Sequence, residues 1–490
     1  MASLGDSIRH GTKWLMFGRV NQQILQFIIG IVLARLLVPE DFGMLVTIQI
    51  FTGFASYFAG GGMGQALIRS KELKPHYYDV VFSLQLFICI AIYALFFFLA
   101  PLIAQFFRNE LYTDLVRISA LTFLLRPLVN LPKAFLQREM RFKAIAISGI
   151  ITFISSGIAS IYMALHGFGP LGLILGGIFG SLTNILILKY VTKMSFHFNF
   201  DMVAAKQLAS YGIKISITEI IPYILSQISN VIISRSLGPG ALGLYNKSDS
   251  LRKLPSEIIA GSAYQTVFRA LSKIQDNLDQ SRYIYLRTIT LLTTYTLPFY
   301  VGLFLLAEPF IIGVYGEKWA GAIAPLEILA ITGVFRCLGN PSGAVIAAQD
   351  RLVSEIRIQL ESSVLLIGGC LYALPWGITG IAWVIVISSL YSTLRMVSLA
   401  NQCIQGSLTT VLKALIPATV LSILMVISMY LADMTVLYQI KTTMPLIYLL
   451  GSASIGMIVY MTGFLFLPIK QLHKESQRWK TLIRIPHDPD

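Results

Sequence analysis

Apolar runs of about twenty residues, the length that crosses a ~30 Å hydrocarbon layer, recur along the whole chain with only short polar breaks between them. A soluble core has no need of so many uninterrupted runs. A bilayer does, because it offers no water to the backbone and each crossing segment must satisfy its own polar groups as a helix. The runs fall near residues 12–37, 42–66, 80–105, 114–134, 144–166 and 170–190, then 211–237, 241–268, 284–306, 322–347, 355–374 and 378–400, and last 411–432 and 444–467. They predict an all-α integral membrane protein with about fourteen transmembrane helices. Composition agrees: of 490 residues, 55% are hydrophobic and 13% charged, about half the charged share of a soluble domain.

A formal charge of +14 would suit a nucleic-acid partner if the cations lined one polar face, but they sit in short clusters between apolar runs. Membrane topology accounts for them, since cytoplasmic loops retain Lys and Arg. With the N-terminus inside, the inside segments carry Arg69, Lys71, Lys74, Arg138, Arg141, Lys143, Lys189, Lys193, Lys206 and Lys214. Arg269, Lys273, Arg282, Arg351, Arg357 and a tail with Lys470, Lys474, Arg478, Lys480 and Arg484 follow. The opposite loops hold little beyond Arg108, Lys318 and Lys441, so both termini are expected in the cytoplasm. Met1 to Lys13 has no apolar stretch ending in a small-residue cleavage site, so the first helix is expected to stay in place. Cys89, Cys337, Cys370 and Cys403 lack metal or CxxC spacing and read as packing residues.

The chain repeats itself weakly. A shift of 200 lays Arg35, Leu37, Pro39 and Gly43 on Arg235, Leu237, Pro239 and Gly243. A shift of 210 lays Arg126, Leu128, Asn130, Ala134 and Arg141 on Arg336, Leu338, Asn340, Ala344 and Arg351, and one of 208 brings Gly169 and Gly172 onto Gly377 and Gly380. Three such correspondences in chain order argue for two six-helix halves, residues 1–195 and 196–403, with two further helices and a basic tail over 404–490. Both halves share one predicted orientation, the parallel repeat of transporters that expose one site alternately to each side.

Charged side chains near mid-bilayer cost about 2.5–3.5 kcal/mol on insertion scales, so they mark a partner or a wet cavity. Arg19, Gln22, Gln23, Gln26 and Gly30 share a face of the first helix; Arg126, Asn130 and Lys133 share one of the fourth, and Arg336 and Asn340 take the matching place in the tenth. The eighth helix is the most polar, with Asn246, Ser250, Lys253, Glu257, Gly261 and Tyr264 on one stripe and Lys247, Asp249 and Arg252 beside it. Two readings stand for it. Asp249 can neutralise Arg252 or Lys253, and Glu257 Lys253, at helix-neighbour spacing; or the stripe walls a water-filled cleft, because Lys247 and one further cation are left over.

Arg126 and Arg336 serve either helix-to-helix bonding or a ligand, while Arg35 and Arg235 at helix ends suit snorkelling. Cations in a cleft suit an anionic head group, guanidinium gripping phosphate in a fork and Lys acting as a point charge. The candidate substrate contacts are thus Arg19, Gln23, Arg126, Asn130, Lys247, Arg252, Lys253, Arg336 and Asn340. Glu219, Asp249 and Glu257 are candidates for coupling to Na⁺ or H⁺, with salt bridges to Arg19 or Lys253 as the plainer role. Gly60, Gly61, Gly62 and Gly64 suit a hinge or close packing. No GxxxxGK[ST], HExxH or GxSxG occurs, so ATP hydrolysis and the common hydrolase chemistries have no basis in sequence. No cofactor or metal is expected.

Several stretches resemble the Wzx-type polysaccharide flippases of the multidrug/oligosaccharidyl-lipid/polysaccharide exporter superfamily, particularly the colanic acid and teichuronic acid exporters. They are Leu33-Ala34-Arg35-Leu36-Leu37 with Pro39, Asp41, Phe42 and Gly43; Gln137-Arg138-Glu139-Met140-Arg141-Phe142; Lys273-Ile274-Gln275-Asp276; Gly316-Glu317-Lys318-Trp319; and Arg336 with Gly339-Asn340-Pro341-Ser342-Gly343. The resemblance runs in order over about residues 5–400 and beyond that rests on hydropathy alone. It implies two six-helix lobes related by a pseudo-two-fold axis around a central cavity, and two extra C-terminal helices. It also implies export of undecaprenyl-pyrophosphate-linked glycan units across the bacterial inner membrane, with Arg126 and Arg336 matching the cations that hold the pyrophosphate. Membrane lipids, a polysaccharide polymerase and export machinery are the implied partners. A drug/ion antiporter of the same superfamily, and a membrane glycosyltransferase or polymerase, are the competing readings.

Overall fold

A computed structural model of the chain describes residues 4–60, 62–70, 74, 76–437, 440 and 444–483, with the side chains at 4–9, 207, 211, 215, 257–263, 265, 436–437 and 483 outside the description. The described elements are helical. They are α1 (Leu4–Leu36), α2 (Pro39–Ala59), α3 (Met63–Arg69), α4 (His76–Phe107), α5 (Leu111–Arg138), α6 (Phe142–Leu165), α7 (Gly169–Thr192) and α8 (Met202–Lys273). Then come α9 (Leu278–Leu305), α10 (Ala307–Phe310), a π turn (Ile311–Tyr315), a 3₁₀ turn (Glu317–Ala322), α11 (Ile323–Ala330) and α12 (Thr332–Ala348). The chain continues with α13 (Leu352–Ala373), α14 (Gly377–Cys403), α15 (Leu408–Ala432), α16 (Pro445–Phe466) and α17 (His473–Ile483).

Eleven helical stretches among the described residues are long and apolar enough to cross a membrane, or twelve with the pair Glu317–Ala330 and Thr332–Ala348, which is bent by 41°. Two of them are of double length. Met202–Ser256 is broken at Gly238, whose φ of 87° and ψ of 171° are open only to glycine, and Leu352–Cys403 contains the short turn Leu374–Trp376. The crossings therefore follow the apolar runs of the sequence, and the protein is a multi-pass membrane protein.

The packing forms two compact units, Met1–Gly243 and Leu244–Asp490. In the first, α1 lies on α6 along a seam where small residues receive larger ones. Gly11 faces the Phe142 ring, Gly18 faces Ala146, Gly149 receives the Gln22 amide and Gly157 receives Ile29. Small residues let membrane helices approach until their surfaces interlock, where lipid supplies no hydrophobic drive. The α2–α3 break falls in the glycine run, where Gly62 has φ 59°. The loose end of α3 is then tied by Arg138, which donates to the carbonyls of Leu67 (2.7 Å) and Ser70 (2.8 Å), a cation at a helix C-terminus. Gly61 lies outside the described residues.

Residues 202–237, which the repeat groups with the second half, pack within the first unit. Ser216 Oγ donates to the Tyr57 carbonyl (2.7 Å), and Tyr223 Oη donates to the carbonyls of Gln49 and Ile50 (each 2.9 Å). Just beyond Gly238 the two copies of the Pro-x-x-x-Gly corner meet reciprocally. A Cβ on Gly43 would stand 1.7 Å from the Pro239 carbonyl oxygen, and one on Gly243 would stand 1.8 Å from that of Pro39. One turn on, the hydroxyls of Thr47 and Ser234 bond at 2.6 Å, and Tyr112 Oη donates to Thr47 at 3.2 Å.

In the second unit, α9 carries the buried threonines Thr290, Thr293, Thr294 and Thr296, each donating to a carbonyl one turn back. Intrahelical bonds of this kind hide a hydroxyl from lipid. The expected C-terminal pair is α15 and α16, and α17 follows as a helix that the hydropathy pattern did not reveal. It is strapped to α9: Arg287 reaches the Gln471 carbonyl and Glu475 (3.4 Å), while Tyr295 Oη donates to Glu475 (3.1 Å) and accepts from the Trp479 indole (3.0 Å).

Candidate functional site

Arg126 sits half-buried on α5, beside Pro127 and one turn from Phe123, whose ring lies 5.3 Å from its guanidinium carbon. Its Nη1 donates to the Ser56 carbonyl near the end of α2, at 3.2 Å. The same end of α2 also receives the Gln85 amide at Gly60 O and the Cys89 thiol at Ala59 O. Asn130 packs against Gly60, its amide nitrogen 2.8 Å from where a Cβ would stand. A guanidinium carries several N–H donors in a fixed fork, and the described residues give this one the Ser56 oxygen as its hydrogen-bond partner.

The second unit repeats the device. Arg336 on α12 donates through Nη1 to Ser256 Oγ at 2.8 Å. Ser56 and Ser256 stand 200 residues apart, as the two proline corners do. Their hydroxyls make matching bonds, Ser56 Oγ to Gly53 O (2.6 Å) and Ser256 Oγ to Lys253 O (2.9 Å). Each half thus holds one arginine against one serine at corresponding places, a correspondence the sequence offset implied for the arginines but not for their partners. Asn340 lies one turn beyond Arg336, as Asn130 does beyond Arg126, and both are half-buried.

The polar stripe of α8 is internally compensated where it is described. Buried Asp249 takes Arg252 at 2.6 Å and Lys253 at 2.5 Å, and Arg252 Nη1 also donates to Thr332 Oγ1 at 2.9 Å. Arg252 is therefore held by its own unit, whereas the Lys253 side chain is 39% exposed and leaves the cluster net positive. Removing one partner of a buried pair strands the other charge, at about 3–5 kcal/mol. Asp249→Asn is accordingly expected to lower thermal stability sharply in detergent, because it strands the buried Arg252 guanidinium, and adding Arg252→Met to recover part of it. A midpoint for Asp249→Asn equal to that of the unsubstituted protein would show that the pair contributes little.

Lys247 departs from expectation. The sequence left it without a partner and so in need of water, yet its ammonium lies 4.6 Å from the Tyr315 ring and 4.9 Å from the Trp319 ring. Cation–π attraction strengthens away from water. The Gly316–Trp319 motif gains a physical role here: Gly316 (φ 98°) turns the chain, its carbonyl accepts from Trp319 N, and the fully buried indole forms one wall around the lysine.

Arg19 is exposed and Gln23 half-exposed, on a face of α1 turned away from the α6 seam; a Cβ at Gly30 on that face would meet nothing within 4 Å. Glu219 is exposed too, and among the described residues neither it nor Arg19 forms an ion pair. The side chains of Glu257 and Gly261 lie outside the described residues, so the Lys253–Glu257 pairing has no geometry to weigh.

Sequence reasoning also missed two features of the second unit. On α13, Glu361 gathers Arg357 (3.1 Å), Arg395 (2.9 Å) and the Tyr391 hydroxyl (2.8 Å). An apolar groove of about 460 Å³ runs among α9, α15 and α16, lined by residues such as Pro298, Phe299, Leu303, Met425 and Met457. Each of its three walls reads as an ordinary apolar helix, so no local pattern signals it.

The chain is 25% identical over 402 residues to the teichuronic acid biosynthesis protein TuaB of Bacillus subtilis (strain 168), covering 80% of this chain and 82% of that one. It is 25% identical over 373 residues to the lipopolysaccharide biosynthesis protein WzxC of Escherichia coli (strain K12), covering 74% and 75%. Among solved structures it shares the fold of the lipid II flippase MurJ in an inward closed conformation, with a TM-score of 0.72 at 18% identity over 96% of this chain and 99% of that one. The resemblance to Wzx-type exporters read from the motifs therefore holds. With a family model matching residues 32–324, from the end of α1 into α11, the chain belongs to the polysaccharide biosynthesis protein family.

Proposed function

We propose that this protein is a flippase that carries a glycan linked to a lipid pyrophosphate across the bacterial inner membrane by alternating access. The observation that carries the reading is the duplicated arginine. Arg126 and Arg336 occupy matching places on matching helices, each touching a matching serine, and guanidinium is the group suited to a phosphate fork. Asn130 and Asn340, one turn beyond the arginines, and Arg19 and Gln23 on α1 are the groups we assign to sugar hydroxyls, and Lys253 adds a partly exposed cation. The apolar groove of α9, α15 and α16 suits an isoprenoid chain.

A fold shared with a lipid II flippase and relatives named for teichuronic acid and lipopolysaccharide biosynthesis support the lipid-linked substrate. A bulky cationic drug would require the opposite charge in the site. Glu219, an exposed carboxylate on a membrane helix, is the residue we assign to coupling with Na⁺ or H⁺. The distribution of Lys and Arg supports a cytoplasmic location for both termini.

Deleting the gene in a strain without a paralogue is expected to abolish surface glycan and to leave lipid-linked repeat units on the cytoplasmic leaflet, read by mass analysis of the lipid extract. Unchanged surface glycan would sink the proposal. A change in drug susceptibility with normal glycan would favour an antiporter instead.

A further inference from the structure

We propose that a cavity formed by α9, α15 and the segment leading into α17 binds the head group of an anionic phospholipid. The cavity measures about 300 Å³, at the lower end of small-ligand pockets, roughly 300–1,000 Å³. Its polar lining includes Tyr283, Arg287, Thr410, Lys470 and Lys474, and Leu286 and Ala414 supply an apolar part. These residues lie near the start of α9, the start of α15 and just past the end of α16, ends that alternating crossings would bring to one side of the bilayer. That is the depth of lipid phosphates.

The charges are sorted by the geometry. Arg287 is held by Glu475 and by the Gln471 carbonyl, so its charge is balanced within the protein and its position fixed. Lys470 and Lys474 are exposed, and no described carboxylate pairs with either. Two ammonium groups at the rim of a concave site, with the hydroxyls of Tyr283 and Thr410 beside them, suit a phosphodiester. A free phosphate would match the charge but not the apolar part of the lining, where a glycerol backbone and its first methylenes fit. Because Gln471 and Glu475 belong to the same segment, occupancy of the site and docking of α17 are linked, each favouring the other.

The test uses the full chain purified in detergent, with native mass spectrometry and thermal unfolding in the presence of phosphatidylglycerol, phosphatidylcholine or soluble glycerol phosphate. Phosphatidylglycerol is expected to be retained and to raise the unfolding midpoint, while phosphatidylcholine and glycerol phosphate leave it unchanged. Lys470→Gln with Lys474→Gln should lower phosphatidylglycerol retention about tenfold or more, given the usual contribution of a lysine at an anionic surface. Lys470→Arg with Lys474→Arg should keep it. Arg478→Gln with Lys480→Gln removes the same charge from later positions of the helix that do not line the cavity and should change retention less than about twofold. Equal losses in the two Gln pairs would reduce the effect to diffuse surface attraction and overturn the site. Equal stabilisation by glycerol phosphate would overturn the lipid as its occupant.

Discussion

Arg126→Ala is expected to lower glycan export about tenfold or more while the protein remains in the membrane at its normal level, and Arg336→Ala to do the same. Hydrogen bonds to charged groups contribute about 1.5–3 kcal/mol, so if each arginine holds a phosphate oxygen, as proposed, losing one guanidinium costs roughly ten- to a hundredfold. The contacts now made by the two arginines are not needed to satisfy their partners. The Ser56 carbonyl already accepts from Gly60 N at 3.2 Å, and Ser256 Oγ already donates to Lys253 O. Removing Arg126 therefore leaves the Ser56 carbonyl satisfied, removing Arg336 leaves the Ser256 hydroxyl bonded, and export is expected to fall further than abundance. Lysine at either position should recover part of the export, because charge returns without the fork. Export normalised to membrane abundance decides the matter: a fall in abundance that accounts for the whole loss of export would assign the arginines to helix packing alone.

The second large effect is steric. Alanine at Gly43 or Gly243 is expected to deplete folded protein, at a cost of about 3 kcal/mol or more, because its methyl would overlap a backbone carbonyl oxygen and not a yielding side chain. The opposing oxygens belong to Pro39 and Pro239, whose rings restrict the local backbone, so neither strand of the crossing retreats easily. Gly240→Ala and Gly30→Ala are the controls, since a methyl at either site meets nothing within 4 Å. Abundance and unfolding midpoint in detergent are the readouts. A Gly43→Ala protein as stable as the Gly240→Ala protein would show that the crossing is looser than its geometry states.

The helices were legible in the sequence because the bilayer leaves little choice: a run such as Phe142–Leu165 has no other way to satisfy its backbone. The break at Gly238 was legible too, since Gly-Pro-Gly interrupts an apolar pattern where only glycine tolerates the dihedral angles. Arg126 and Arg336 stood out in the sequence by their cost in lipid. Their partners did not, because Ser56 contributes a main-chain oxygen to Arg126 and nothing in its side chain announces that. Lys247 was misjudged for a related reason. Its rings arrive from a turn far along the chain, and helix-neighbour spacing sees only contacts within one helix. The α17 helix escaped because it is short and polar, and its anchors, Glu475 and Trp479, face groups on α9 that read from the sequence as ordinary membrane residues.

The way α17 is fastened to α9 bears on how the topology of this protein is best probed. Reporter domains are commonly joined behind the last hydrophobic segment, which here ends at Phe466. A junction placed there would discard Glu475 and Trp479 and strip Arg287 and Tyr295 of their partners. A silent reporter at that point would register a damaged bundle and carry no information about the side of the membrane on which the terminus lies.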